Sequence, residues 1–385
     1  MRTKYLLLAI DIPSGYKPSA PLPLESMILA LLLCLLSATA TWSQEPLRIR
    51  PPEPTRQRFV PIWQKGVAYT HLQDQGNNLR SRRSQESLLY VKKHLGAQWV
   101  SFHPFAFQFS HDSPHIQLGR DDPPDDDLRL AITQAHGLGL KIMLKPHIWL
   151  DEHRDERWRG TIEMANEENW QAWFAAYRRF ILHYARLAAA ENVELFCVGT
   201  ELATTARQRQ ADWRQTIAQI RQVYSGPLVY AANWWGEYDQ IAFWDALDYI
   251  GINAFFPLSD AANPSMDTLR QRARQVAEKI ALLHMQTGKP VIFTEVGFRS
   301  VSGATIRPWA WPRVREPGVN LREQARAYEA IFSTFWSQPW FYGMYWWQWF
   351  SDLSRGGQRN AEFTPHRKPA EQILIDWYAK PIPLP

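Results

Sequence analysis

The sequence predicts an α/β fold, a (β/α)8 TIM barrel, on three observations. Eight short apolar runs rich in Val, Ile, Phe and Tyr alternate with stretches of helical period, the pattern of repeated βα units. Several of these runs are apolar at nearly every position, as parallel strands buried on both faces are. The first run continues into GVAYTHLQDQG, which lacks the GxGxxG phosphate turn that usually opens a doubly wound open sheet. At 385 residues, 45% hydrophobic and 21% charged, the chain has globular composition and the length of one barrel with elaborated loops.

Taken in order, the expected strands are 66–69, 98–103, 140–146, 193–198, 227–232, 249–254, 290–294 and 343–347. Helical segments are expected between them at 84–95, 128–137, 169–190, 212–224, 265–287 and 322–337, with 369–378 closing the chain. The connection at 237–247 is short, so its helix is reduced. Asp121–Asp127 (DDPPDDD) has the composition of a calcium loop but neither its alternating ligands nor its turn Gly. Acidic residues leading into the helix at Leu128 instead suit that helix's dipole.

Residues 1–40 read as a secretory signal peptide. Met27–Leu36 (MILALLLCLL) is too short to span a bilayer comfortably and is followed by Ala38-Thr39-Ala40, a small-x-small cleavage pattern. The residues upstream are a long n-region or follow a start codon placed too early. Lipid anchoring at Cys34 is the alternative, opposed by the bulk of Leu32 and Leu33 before it. Residues 41–61 form a Pro- and Arg-rich linker and 62–385 the barrel domain. The expected location is therefore secreted or periplasmic, with no stable membrane insertion once the signal is removed. Of the two cysteines Cys34 leaves with the signal, so Cys197 has no intramolecular partner.

The formal net charge is +5, but the basic residues are scattered, and the densest stretch, 207–221, reads as a solvated helix face. That argues against a nucleic-acid partner. Nineteen Trp are present, within an aromatic content of 13%. Core packing accounts for about two thirds of them; half-exposed indoles suit the flat C–H faces of sugars.

Barrel active sites gather at the carboxyl ends of the strands. Strand four runs VELFCVGTEL and strand seven PVIFTEVGF, each delivering Thr-Glu as the chain leaves the barrel. Glu201 and Glu295 can thus face each other across the mouth. Two carboxyl groups roughly 5–5.5 Å apart are what a retaining glycosidase needs, one to protonate the leaving oxygen and one to attack the sugar carbon. Each Glu alone could instead serve a structural ion pair, but two at matching barrel ends favour chemistry.

The segments LKIMLKPHIWL, WRG, VGTEL, the Asn-Trp-Trp after strand five, DYIGINAFFPL, TEVGF and GMYWWQW, in this order, together resemble glycoside hydrolase family 113. The resemblance runs from about Lys65 to Tyr378. It implies the barrel, a retaining mechanism, a β-mannanase activity, Glu201 as general acid/base and Glu295 as nucleophile. That chemistry requires Glu295 ionised, and Glu201 protonated at the start through apolar surroundings or the charge of Glu295. Two positions depart from the pattern. Thr200 stands where the wider clan often has an Asn that binds the sugar 2-hydroxyl. Phe255 and Phe256 stand where relatives usually carry a Tyr whose hydroxyl orients the nucleophile. Either a hydroxyl arrives from Tyr230 or Tyr345, or the site is tuned to another substrate, or activity is reduced.

His147, ending strand three, is a candidate for binding sugar hydroxyls or a buried loop residue. Asn233, Trp234 and Trp235 end strand five, with one Trp expected to stack on substrate. Trp158-Arg159, in the long loop after strand three, is placed as a further subsite wall. Trp346 and Trp347 point to opposite faces of strand eight, so only one enters the barrel. His111 and His115 have i, i+4 spacing, but Pro114 between them argues for a loop rather than a metal site. No cofactor or metal is expected. The leading reading is a monomeric endo-β-1,4-mannanase acting on a β-linked polysaccharide or oligosaccharide. The alternatives are a β-glucanase or other β-mannoside hydrolase, or a carbohydrate-binding pseudoenzyme.

Overall fold

The computed structural model describes residues 59–71, 78–118, 123–152, 157–311 and 318–383. The expected signal peptide, the linker up to residue 58, and Asp121 and Asp122 lie outside the described residues. The chain builds strands β1 (Gln64–Thr70), β2 (Trp99–Phe102), β3 (Phe105–Gln108), β4 (Ile116–Gln117), β5 (Lys141–Leu144), β6 (His147–Leu150), β7 (Leu195–Thr200), β8 (Leu228–Asn233), β9 (Tyr249–Asn253), β10 (Val291–Val296) and β11 (Phe341–Phe350). The helices are α1 (Arg82–Lys93), α2 (Asp125–Gly137), α3 (Glu167–Ala190), α4 (Ala203–Gln208), α5 (Gln210–Val223), α6 (Met266–Thr287), α7 (Leu321–Phe335) and α8 (Pro369–Ala379).

Eight of the strands are parallel and close a barrel in the order β1–β11–β10–β9–β8–β7–β5–β2. The expected (β/α)8 fold is the observed one. Closure depends on Gly343, which pairs with Gln64 at φ 127°, where a Cβ would lie 2.2 Å from the Gln64 carbonyl oxygen. No other residue fits there without moving a strand. Between β8 and β9 the connection holds only the short 3-10 turn Trp244–Ala246, the reduced helix expected from its length.

Four helix starts among the described residues carry side-chain caps that satisfy otherwise unpaired N–H groups. Ser81, Asn166, Ser265 and Asn320 accept from the backbone N–H three residues on, opening α1, α3, α6 and α7. Asp125, Asp126 and Asp127, before Leu128, form the first turn of α2, as its dipole favours. There Asp127 pairs with Arg80 at 2.7 Å and Asp125 with His183 at 2.9 Å.

A second, three-stranded sheet of order β4–β3–β6 was not expected. β3 and β6 follow β2 and β5 after two residues each, His103-Pro104 and Lys145-Pro146. Proline has no N–H for the ladder, so each barrel strand stops and a new strand restarts beside the other. β3 and β6 run parallel, with Phe105 opposite His147. His147 therefore opens β6 rather than ending the third barrel strand, a correction to the expected 140–146 run. Trp173 of α3 anchors this sheet, donating to the Gln108 side chain at 2.9 Å. Tyr177, stacked on Trp173 at 5.1 Å, donates to the Val198 carbonyl at 2.8 Å and so ties α3 to β7. Each such bond contributes about 1 kcal/mol, but their larger effect is to fix β7 next to the site. Among the described residues no helix is long and apolar enough to cross a membrane.

Candidate active site

β7 ends at Thr200, and Glu201 follows with φ 53°, a left-handed backbone that a residue with a Cβ rarely adopts. The turn is held on both sides: Glu201 N–H donates to the Ala231 carbonyl and Leu202 N–H to the Tyr230 hydroxyl, each at 2.9 Å. Glu295 is the fifth residue of β10 and points its carboxyl to the same mouth. Strand register puts Asn233 opposite Asn253, and Asn253 opposite Glu295. Glu201 is completely buried and Glu295 is 3% exposed.

The two carboxyl groups have different company. Lys145, itself fully buried, gives its ammonium to Glu295 Oε1 and to the Thr294 carbonyl. Glu201 accepts from Asn233 Nδ2 at 3.0 Å on Oε1 and from the Arg159 guanidinium at 3.3 Å on Oε2. Burial pushes the Glu201 pKa up; the Arg159 charge opposes this, and the charge of Glu295 adds to it. Arg159 also donates to His147 Nδ1 at 3.1 Å. A guanidinium only donates, so Nδ1 accepts and the imidazole proton sits on Nε2. His147 Nε2 is buried without a hydrogen-bond partner and lies 4.0 Å from Glu295 Oε1, too far to bond it. Burial first, then the Lys145 and Arg159 charges, hold the His147 pKa well below the usual histidine value. Its neutral ring thus offers one unused N–H to the cleft.

His147, Arg159, Glu295, Phe255, Trp309, Trp311, Trp347 and Phe363 line that cleft. Of the strand-eight pair, Trp347 faces the site. Trp346 turns outward and stacks on Tyr328 of α7 at 3.7 Å, so it is no part of the cleft. Trp234 is buried between Trp309, at 4.9 Å, and Phe256, whereas Trp235 keeps 41% of its surface exposed at the rim. Trp158 is buried with its ring against Gly160, where an added Cβ would sit 2.3 Å from it. It serves as the base of the turn from which Arg159 reaches the site, not as a wall. The Thr200 hydroxyl is buried and leans on the Pro146 carbonyl at 3.5 Å.

The tyrosines considered as substitutes for Phe255 are committed elsewhere: Tyr230 donates to Glu237 and Tyr345 to Gln64. The donor on Glu295 is Lys145, which sequence reasoning passed over inside LKIMLKPHIWL. Trp309, Trp311 and Phe363 were missed as well, whereas Arg159, expected beside Trp158 near a subsite wall, reaches the site itself. His111 bonds Glu152 at 2.9 Å and His115 is exposed. Among the described residues no cluster of His, Cys, Asp and Glu could hold a metal ion.

The family model for glycoside hydrolase family 113 matches residues 67–368. The chain belongs to glycoside hydrolase family 113. Solved structures of the family agree. The GH113 β-mannanase AaManA from Alicyclobacillus acidocaldarius, in complex with ManMIm, is 30% identical with a TM-score of 0.72, over 83% of this chain and 97% of that one. A complex of a GH113 β-1,4-mannanase is 29% identical with the same TM-score, over 82% of this chain and 99% of its own. A β-D-glucuronidase from Dictyoglomus thermophilum is 13% identical with a TM-score of 0.56, over 84% of this chain and 52% of that one, and shares the fold alone. Among curated proteins no match was found. This family 113 barrel is a glycoside hydrolase, and its substrate is a carbohydrate.

Proposed function

We propose that the enzyme is a retaining endo-β-1,4-mannanase in which Glu295 is the nucleophile and Glu201 the general acid/base. The observation that carries the reading is the asymmetry of the pair: a buried ammonium on Glu295, and a buried Glu201 whose pKa is raised. Environments that separate two carboxyls in this way assign their roles.

In the first step Glu295 attacks the anomeric carbon as Glu201 gives its proton to the departing glycosidic oxygen. The Arg159 guanidinium, 3.3 Å away, then faces a carboxylate it did not face before, so it favours the transition state over the ground state. In the second step Glu201 takes a proton from water, which attacks the anomeric carbon and releases Glu295. The free His147 N–H suits a hydroxyl of the sugar beside Glu295, and Trp347, Trp309 and Trp311 suit its C–H faces. The β-1,4-mannan preference is supported by the names of the relatives at 29–30% identity. Export through the amino-terminal signal suits a polymer that cannot enter a cell.

The test is reducing-sugar release by the purified protein on mannan, glucomannan and a mixed β-glucan, with Glu295→Gln as control. Release on mannan that falls at least about 1,000-fold in the control supports the reading. Release on the β-glucan alone moves the substrate, and silence on all three from folded protein leaves a carbohydrate-binding pseudoenzyme.

A further inference from the structure

Behind the acid/base lies a second buried carboxyl group that the reaction as written does not use. Glu237 is completely buried in the turn after β8 and, among the described residues, makes no ion pair. Its Oε1 accepts from the Tyr230 hydroxyl at 2.5 Å and its Oε2 from the Asn233 backbone N–H at 2.6 Å. Tyr230 in turn accepts the Leu202 N–H at 2.9 Å, and the Asn233 side chain donates to Glu201 Oε1 at 3.0 Å.

One carboxyl group therefore heads two hydrogen-bond chains that converge on residue 201. One chain grips the backbone immediately after Glu201, where φ is 53° and the conformation persists only if its surroundings enforce it. The other aims the amide that touches the Glu201 carboxyl. The ring of Tyr230 has little freedom of its own, packed against Trp213 at 5.2 Å and Phe243 at 5.6 Å. Burial raises the Glu237 pKa to about 8, against the pull of the bonds from Tyr230 and the Asn233 N–H, so the protein keeps a buried carboxyl group here at a cost. Both Glu237 oxygens accept these bonds, whereas Gln keeps one such acceptor and turns its NH2 toward the other partner, reversing the bond from the Tyr230 hydroxyl or losing the one from the Asn233 N–H.

We propose that Glu237 is a positioning residue for the acid/base, holding the β7 and β8 exits so that Glu201 meets the glycosidic oxygen in register. This rests on the assignment of Glu201 above.

The experiment compares wild type, Glu237→Gln, Tyr230→Phe and Glu201→Ala on two substrates, with azide present to accept the glycosyl group. Mannopentaose has a leaving group that needs a proton; 2,4-dinitrophenyl β-mannobioside has one that departs without it. A misplaced acid lowers kcat on mannopentaose by on the order of 10- to 100-fold, with KM within about a factor of two and little loss on the dinitrophenyl substrate. Both Glu237→Gln and Tyr230→Phe are expected to show that split, Tyr230→Phe less strongly because it breaks one chain only. Parallel loss on both substrates, or no loss, while Glu201→Ala shows the split, overturns the positioning role. If Glu201→Ala itself shows no split, the acid/base assignment has failed and the inference falls with it. Should Glu237→Gln not fold, Tyr230→Phe decides between the same outcomes.

Discussion

Lys145 sits at the two-residue break between β5 and β6 with no exposed surface, and its ammonium meets Glu295 there. Both charges have left water, and their attraction offsets that only while both are present. Lys145→Met should therefore lower stability by about 3–5 kcal/mol, because it strands a buried carboxylate. It should also lower kcat/KM by at least about 100-fold, since Glu295, the proposed nucleophile, loses the group that orients it. Urea unfolding and steady-state kinetics check the two effects, and a variant near wild type in both would show that the pair is incidental. The sequence hides this residue for a physical reason. In a run that is apolar on both faces, periodicity cannot say which face turns inward, so a lone Lys reads as the end of the run. The same ambiguity covered Trp346 and Trp347: alternation separates them, but only Tyr328, contributed by a helix, shows which one is outside. The position of Glu201 and Glu295 at one barrel mouth was legible because each follows an apolar run and lies where barrel chemistry gathers.

At the scale of elements, strand exits matter more than strand bodies. Register across β8, β9 and β10 lines up Asn233, Asn253 and Glu295 at one level, so a one-residue slip would scatter them. A further seam of the barrel, between β11 and β1, closes where Gly343 lets β11 approach Gln64. Gly343→Ala is expected to cost about 3 kcal/mol, from strain at a positive φ and from overpacking together. Thermal unfolding measures it, and an unchanged midpoint would mean that the closure tolerates a side chain. The eight barrel strands and the seven longer helices fall where hydrophobic period placed them. The β4–β3–β6 sheet escaped notice because β3 and β6 are four-residue strands fused in sequence to barrel strands. Pro104 and Pro146 were the available signs of the restart.

On the scale of the whole molecule, the barrel brings together residues that are remote in sequence. The cleft walls come from the segment after β6, the loops after β9 and β10, and β11 with the segment beyond it. Such walls leave no local pattern; Trp309, Trp311 and Phe363 lie in irregular segments, where neither helical nor strand period applies. Most of the tryptophans went to the core, as packing alone would dictate, while Trp149, Trp235, Trp309, Trp311 and Trp377 keep part of their surface open. The family was legible because seven short segments kept their order along nearly the whole barrel, and the family match spans the same ground. Two buried carboxyls, Glu295 held by Lys145 and Glu201 with its pKa raised by burial, are proposed to perform double displacement. Proton NMR of the first product formed from a manno-oligosaccharide tests it most directly. Double displacement makes the β-anomer appear first and mutarotate later. Initial release of the α-anomer would mean single displacement by water and would contradict the roles assigned to Glu201 and Glu295.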